Sequence, residues 1–212
     1  MNAKEKLIVF GAGGHAKVVI DIIEQQGIYA IAGLLDDDPR HQGKRFFAYP
    51  VLGTRAALPA LLSAQLRHAI VTVGDNAARA AVAAYLEQQG WRFASAVHPR
   101  ASIGRGVEIA PGSVVMAGCV VNPDTSLGAH VIVNTGATVD HDCRIGDAVH
   151  IAPGCHLCGG VSVGAGSLLG AGSTVTPGVS IGSKVIVGAG STVIRDIADA
   201  AKVSGSPARS LD

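Results

Sequence analysis

A strict six-residue period limits what this chain can fold into more than any other feature. From Val97 to Val193 every sixth residue is Ile, Leu or Val, 17 positions in succession without an insertion. If about a third of residues were of these types by chance, such a run would arise on the order of once in 10⁸ trials. Four residues after each aliphatic stands a small one, as at Ser113, Cys119, Thr125, Ala137, Cys143, Cys155, Ser167 and Ser173. A small residue, any residue, then a large aliphatic is a three-residue strand with both ends facing inward, because side chains alternate along a strand. The three residues left in each hexad, such as Gly164-Ala165-Gly166, are turn chemistry. Three strands and three turns close a triangular coil of 18 residues. Stacked coils of this kind make a parallel β-helix.

Within such a coil the middle strand residue points outward, and residues 18 apart share a face. One face reads Glu108, Ser126, Arg144, Ser162, Ser180 and is a solvated surface; Ser102, Val120, Thr138, His156, Thr174, Thr192 form a mixed one. The third reads Val114, Ile132, His150, Leu168, Ile186. An outward stripe of four large aliphatics predicts a contact between subunits, the alternative being that the N-terminal part of the chain folds onto it.

Composition changes near residue 97, which sets the expected domains at 1–96, 97–196 and a tail at 197–212. A net charge of +1 and 16% charged residues exclude a strongly basic nucleic-acid binder, and 48% apolar content excludes a disordered chain. The apolar run Leu7 to Phe10 is too short for a signal peptide or a membrane span, so a cytoplasmic protein with no membrane contact is expected. The four Cys are then expected to be free thiols. Cys155-x-x-Cys158 with His156 and Cys143 hints at zinc, but Cys119, Cys143 and Cys155 occupy the inward position of the repeat, and no metal is expected. A metal-dependent β-helix enzyme is disfavoured because His150 and His156, six apart, fall on adjacent faces.

The first 96 residues alternate strand and helix patterns. Lys6 to Phe10 reads as a buried strand running into Gly11-Ala12-Gly13-Gly14. Ala16 to Gln26 has helical apolar spacing, Ala30 to Leu35 is a second strand, Ala69 to Val73 a third, and Ala77 to Gln89 a second helix. This is a parallel α/β sheet of the Rossmann-like kind, which binds ligands beyond its C-terminal strand ends. Gly11-x-Gly13-x-x-Ala16, with Asp36 some 20 residues on, fits the loose dinucleotide fingerprint, in which glycine amides and a helix N-terminus accept a phosphate and the acid takes a ribose hydroxyl or a base. So short a domain favours a nucleotide or nucleotide-sugar over NAD, and a glycine turn without a ligand remains the plainer alternative.

Taken together, Gly11-Ala12-Gly13-Gly14-His15, Leu35-Asp36-Asp37, Val73-Gly74-Asp75-Asn76 with Arg79, the hexads and the ending Val203 to Arg209 resemble the nucleotide-sugar N-acetyltransferases that acetylate 4-amino sugars. Sialic acid O-acetyltransferases share the same plan. The resemblance implies a left-handed coil, a homotrimer with active sites between subunits, and acetyl-CoA as co-substrate. It further implies that the Gly13-Gly14-His15 turn holds the diphosphate and Asp36 and Asp37 lie at the nucleoside, with Gly11, Gly74 and Asn76 also binding the nucleotide sugar, and that Asn134, His150, Gly170, Pro207 and Arg209 serve acetyl-CoA, the tail lying near the coenzyme.

Acetyl transfer from a thioester to an amine needs a base, an oxyanion donor and alignment of two large substrates. Asp140-His141-Asp142 is the best base candidate, since an imidazole beside a carboxylate has a suitable pKa and orientation. From the residues alone a solvated turn histidine is the competing interpretation; the resemblance assigns His141 as base and Asp142 as the acid that tunes it. The triplet forms a turn stacked between Asn122-Pro123-Asp124 and Cys158-Gly159-Gly160, whose glycines leave room beside the imidazole. His150, half a coil away, stands on the face opposite that corner, so a neighbouring subunit would have to bring the two together. Acceptor sugar, nucleobase and N- versus O-acetylation are not readable from these residues.

Overall fold

The apolar run near the start of the chain becomes the middle of a sheet. In the computed structural model, which describes residues 4–211, the chain divides into two units, Met1–Val97 and His98–Asp212. The first contains strands β1 (Glu5–Phe10), β2 (Tyr29–Leu35), β3 (Arg45–Phe46), β4 (Tyr49–Gly53), β5 (His68–Val71) and β6 (Arg92–Phe93), with helices α1 (Gly14–Gln26), α2 (Leu58–Ser63) and α3 (Asn76–Gln88). Their order is β3-β4-β2-β1-β5-β6, parallel throughout except for the β3–β4 hairpin. β1 is buried on both faces, which is why Leu7 to Phe10 reads as an unbroken apolar run. Ile8, Phe10, Ala69 and Val71 pack with Leu58, Ala83, Leu86 and Trp91 in one cluster.

The chain leaves β1 toward β2 and later returns to β5 on the other side, so the strand order reverses at β1. The loops after β1 and β5 therefore border the crevice where open α/β sheets take ligands. The expected strands and helices are present with ends shifted by a residue or two. The β3–β4 hairpin, α2 and β6 were not foreseen, because two-residue strands show no period and Pro50 reads as a breaker.

In the second unit the hexads close three walls of parallel strands. One stacks 114–115, 132–133, 150–151, 168–169 and 186–187; the next 102–103, 120–121, 138–139, 156–157, 174–175 and 192–193; the third 108–109, 126–127, 144–145, 162–163 and 180–181. Partners are 18 residues apart, as in Ile132↔His150↔Leu168↔Ile186. Strands are two residues long rather than three, the small inward residue standing just before each. From Val115 to Val193 every hexad aliphatic is buried. Beyond residue 196 the stack continues: Ile197 bridges Ile181, Lys202–Ser204 pairs with Ile186 and Val187, and Arg209–Ser210 folds back antiparallel.

The expectation of an outward apolar stripe needs correction at two positions. Val114 and Ile132 are each 1% exposed within the single chain, whereas His150 and Leu168 are half-buried and Ile186 is 43% exposed. The period fixes the direction of a side chain but not what covers it. Only the part of the stripe from His150 to Ile186 stays open to a second copy.

Coil-to-coil packing is tight where a turn passes another backbone. A Cβ at Gly146 would lie 2.7 Å from the Ala165 nitrogen and 3.1 Å from the Val163 oxygen. Gly146→Ala should therefore destabilise the protein by about 1–3 kcal/mol. Gly13→Ala, whose Cβ meets nothing within 4 Å, should stay within about 0.5 kcal/mol. Urea midpoints at constant m check both; an unshifted Gly146→Ala midpoint would contradict the close approach.

Candidate functional site

At the crevice of the first unit, Gly11 has φ +113°, and its Cβ would stand 2.9 Å from Thr72 Oγ1. Only glycine lets the end of β1 pass the end of β5 this closely. Thr72 Oγ1 in turn donates toward the Phe10 and Gly11 carbonyls at 3.0 and 2.8 Å. Gly13 is the N-cap of α1 and offers no side-chain cap. A Cβ at Gly13 or at Gly14 beside it would meet nothing within 4 Å, so the start of the helix is clear of side chains there, and bare helix N-termini are suited to phosphate. His15 follows on the first turn, half-buried.

Asp36, expected at a ribose or base, is also a fastener of the glycine turn. One carboxylate oxygen accepts Ala12 N–H at 2.6 Å, the other accepts Asp38 N–H at 2.7 Å, and His41 Nδ1 lies 3.1 Å away. Asp37 is held by Arg55, whose Nε and backbone N–H approach it at 2.8 and 3.0 Å. Burial pulls the Asp37 pKa up, but the Arg55 hydrogen bonds outweigh it and the net shift is downward. The Arg55 guanidinium lies 5.0 Å from the centre of the Tyr85 ring. Sequence reasoning missed Arg55, because nothing local marks a residue whose partner is 18 positions earlier.

Gly74 and Asn76 are organised by Arg79, which is 1% exposed. Its guanidinium donates to the Val73 and Gly74 carbonyls at 3.1 Å and to Asn76 Oδ1 at 2.9 Å. Burial lowers its pKa to about 10. Asp75 caps α3 by accepting Ala78 N–H at 2.8 Å.

In the second unit His141 stands at the corner between strands 138–139 and 144–145. Its Nδ1 lies 2.7 Å from Asp142 Oδ2, so the ring is oriented with Nε2 as the second, proton-accepting nitrogen. Asp142 has φ +58°, a conformation that Gly106, Gly118, Gly136, Gly154 and Gly160 adopt in other turns. An aspartate tolerates it better than most residues, and here its carboxylate reaches the imidazole. Asp140 Oδ1 accepts His141 N–H at 2.9 Å and Asn122 Nδ2–H at 2.8 Å. Above the ring, a Cβ at Gly159 would stand 2.6 Å from both Cε1 and Nε2. The bare glycine is a steric requirement of the imidazole. The hydrogen bond to Asp142 and then the charge of Asp140 raise the His141 pKa, while the Asn122 and His141 hydrogen bonds lower that of Asp140.

His150 lies on the wall opposite that corner, and the register places Asn134 beside it, Nδ2 to Nε2 3.1 Å. Thr135 N–H donates to Asn134 Oδ1 at 2.8 Å, which turns the amide NH₂ toward the ring. Nε2 is thereby placed to accept from the amide. One chain does not bring His141 and His150 together. Gly170 has a structural reason of its own, since a Cβ there would meet Ala189 N at 2.5 Å. Pro207 and Arg209 lie in the exposed final turn and strand. Cys119, Cys143 and Cys155 are buried free thiols pushed up in pKa by burial.

Residues 6–86 match the PglD N-terminal domain family, 142–177 the bacterial transferase hexapeptide repeats, and 160–195 the hexapeptide repeat of succinyl-transferase. An H141N variant of perosamine N-acetyltransferase from Caulobacter crescentus, solved in complex with CoA and GDP-perosamine, is 40% identical over 99% of this chain and 98% of its own, with a TM-score of 0.94. The acetyltransferase domain of PglB from Neisseria gonorrhoeae FA1090, in complex with acetyl coenzyme A, is 39% identical over 99% and 100%, with a TM-score of 0.91. The chain belongs to the hexapeptide-repeat nucleotide-amino-sugar N-acetyltransferases. UDP-N-acetylbacillosamine N-acetyltransferase from Bacillus subtilis (strain 168) matches at 37% identity over 118 residues, 53% of this chain and 52% of that protein. The match thus spans about half the length of that curated relative. The β-helix of this family is left-handed.

For this N-acetyltransferase the His141–Asp142 pair gives a direct prediction. Asp142→Asn keeps the left-handed turn residue and removes the charge, so the His141 pKa should fall back toward the ordinary imidazole range. An NMR titration of the His141 ring signal reads this; an unchanged midpoint would show that Asp142 does not tune the ring.

Proposed function

We propose that this protein transfers the acetyl group of acetyl-CoA to the amine of a nucleotide-linked 4-amino sugar by direct attack, with His141 as general base. The observation that carries this is the His141 ring, oriented through Nδ1 by Asp142 and cleared through Nε2 by Gly159. As the amine nitrogen bonds to the thioester carbon, Nε2 takes its proton and the CoA thiolate leaves, so no acyl-enzyme is needed. His150, held by Asn134, donates toward the carbonyl oxygen where negative charge develops. Gly170, Pro207 and Arg209 attend the coenzyme. Gly13, Gly14 and His15 bind the acceptor's diphosphate and Asp36 and Asp37 its nucleoside, with Gly11, Gly74 and Asn76 also lining the nucleotide-sugar site.

Because corner and opposite wall carry the two halves of the chemistry, the active form is a homotrimer that joins one subunit's His141 to another's His150. The exposed end of the stripe, Leu168 and Ile186, is the contact. Ile186→Asp should give monomers with little activity; light scattering that finds a fully active monomer overturns the shared site. No helix among the described residues is long and apolar enough to cross a membrane. The protein acts in the cytoplasm, where acetyl-CoA is made.

Thiol release from acetyl-CoA in the presence of GDP-, UDP- and dTDP-linked 4-amino sugars, beside free sialic acid, tests the activity and separates amine from hydroxyl acceptors. His141→Ala should lower kcat by roughly 10²- to 10⁴-fold with both KM values little changed. A protonated His141 cannot accept a proton, and its pKa is raised. Wild-type kcat should therefore fall on acidification from above the ordinary imidazole range, and the limb should move to lower pH in Asp142→Asn. A His141→Ala trimer turning over within about threefold of wild type would remove His141 from the mechanism.

A further inference from the structure

Among the inward positions of the hexads, from Ala101 to Ser191, only one is threonine, Thr125. It is 1% exposed and lies one coil before the His141 turn. Its Oγ1 donates to the Asp140 carbonyl at 2.7 Å and accepts Cys143 N–H at 3.1 Å. One buried hydroxyl therefore grips the turn on both sides of His141 and Asp142. Two further ties run from the same stretch: Asn122 Nδ2 to Asp140 Oδ1, and Asp142 N–H to the Pro123 carbonyl at 3.1 Å.

The same grip recurs beneath two turns away from His141. Ser113 Oγ donates to the Gly128 carbonyl and accepts Val131 N–H, and Ser167 Oγ does so with Gly182 and Val185. The cysteines at this position only donate, at 3.0 to 3.4 Å, to carbonyls of the next coil. Threonine differs from serine by a methyl that restricts χ1. That restriction aims the hydroxyl, and it occurs beneath the one turn whose side chains hold a proton-accepting imidazole at 2.7 Å from its carboxylate.

We propose that Thr125 is a positioning residue for the base: it sets the backbone of Asp140 to Cys143 so that His141 Nε2 presents to the amine. The proposal rests on His141 as general base. A small displacement of a catalytic group is costly, so Thr125→Val, which keeps shape and removes both bonds, should lower kcat roughly tenfold with both KM values within about twofold. Thr125→Ser should stay within about threefold of wild type. Ser113→Ala, which removes the same pair of bonds beneath another turn, should shift the urea midpoint comparably and leave kcat unchanged.

In a His141→Ala background, Thr125→Val should add no further loss of kcat, a result that general destabilisation would not produce. Wild-type kcat in Thr125→Val, or an additive loss in that background, overturns the proposal while the base assignment stands. A His141→Ala enzyme that keeps its kcat overturns the base assignment and this proposal with it. If Thr125→Val does not fold, Thr125→Cys, a residue the repeat already accepts at 119, 143 and 155, carries the test. It should lose at least about threefold in kcat, and wild-type kcat there overturns the proposal.

Discussion

Everything in the second unit depends on one constraint: each coil must satisfy its backbone on the coil 18 residues away. Ile132 N–H donates to the Val149 carbonyl, His150 N–H to Ser167 and Leu168 N–H to Val185, all at 2.8 to 3.0 Å. The turns obey the same register, with Asp142 N–H on Pro123 and Gly160 N–H on His141. A residue's neighbours above and below are thereby fixed by arithmetic, so a site can be assembled from positions scattered along the chain. An insertion of one residue would swap inward and outward faces, which explains why the period runs unbroken.

That rigidity lets local backbone strain be carried in the turns. Most turns put glycine at the left-handed position, whereas the His141 turn puts Asp142 there, as other turns put Asp124, His130, Ala148, Lys184 and Ala200. The cost is offset by a carboxylate that holds the imidazole, and by Thr125 and Asn122 gripping the same turn from below. Strained residues persist only where their surroundings overdetermine them. Here the coil on one side supplies hydrogen bonds and the coil on the other supplies the absence of a side chain at Gly159.

The stacking arithmetic also decides how much could be read in advance. The room beside His141 and the pairing of the Asn134 turn with the His150 strand follow from adding 18 or stepping along the repeat, because the same rule acts in every coil. Arg55 on Asp37, Ala12 on Asp36 and the clamp of Arg79 on Gly74 arise in an α/β sheet, where long-range contacts obey no such rule. The burial of Val114 and Ile132 was hidden for a related reason. Period gives the direction of a side chain, and coverage depends on what else lies over it. Gly11 shows a residue with two explanations at once: it fits a phosphate fingerprint, and its Cβ would also strike Thr72.

The His141–Asp142 pair is exposed in the isolated chain, with 59% and 67% of the side chains accessible. In that state water screens the pair, and a surface ion pair of this kind contributes little to stability. In the proposed mechanism the pair acts once substrates cover the corner and displace that water. The same 2.7 Å separation then acts through a lower effective dielectric, where the attraction between a carboxylate and an imidazolium grows several-fold. A charge that tunes a neighbouring imidazole can therefore be nearly silent in folding, so the stability of Asp142 variants and the His141 pKa need not run in parallel.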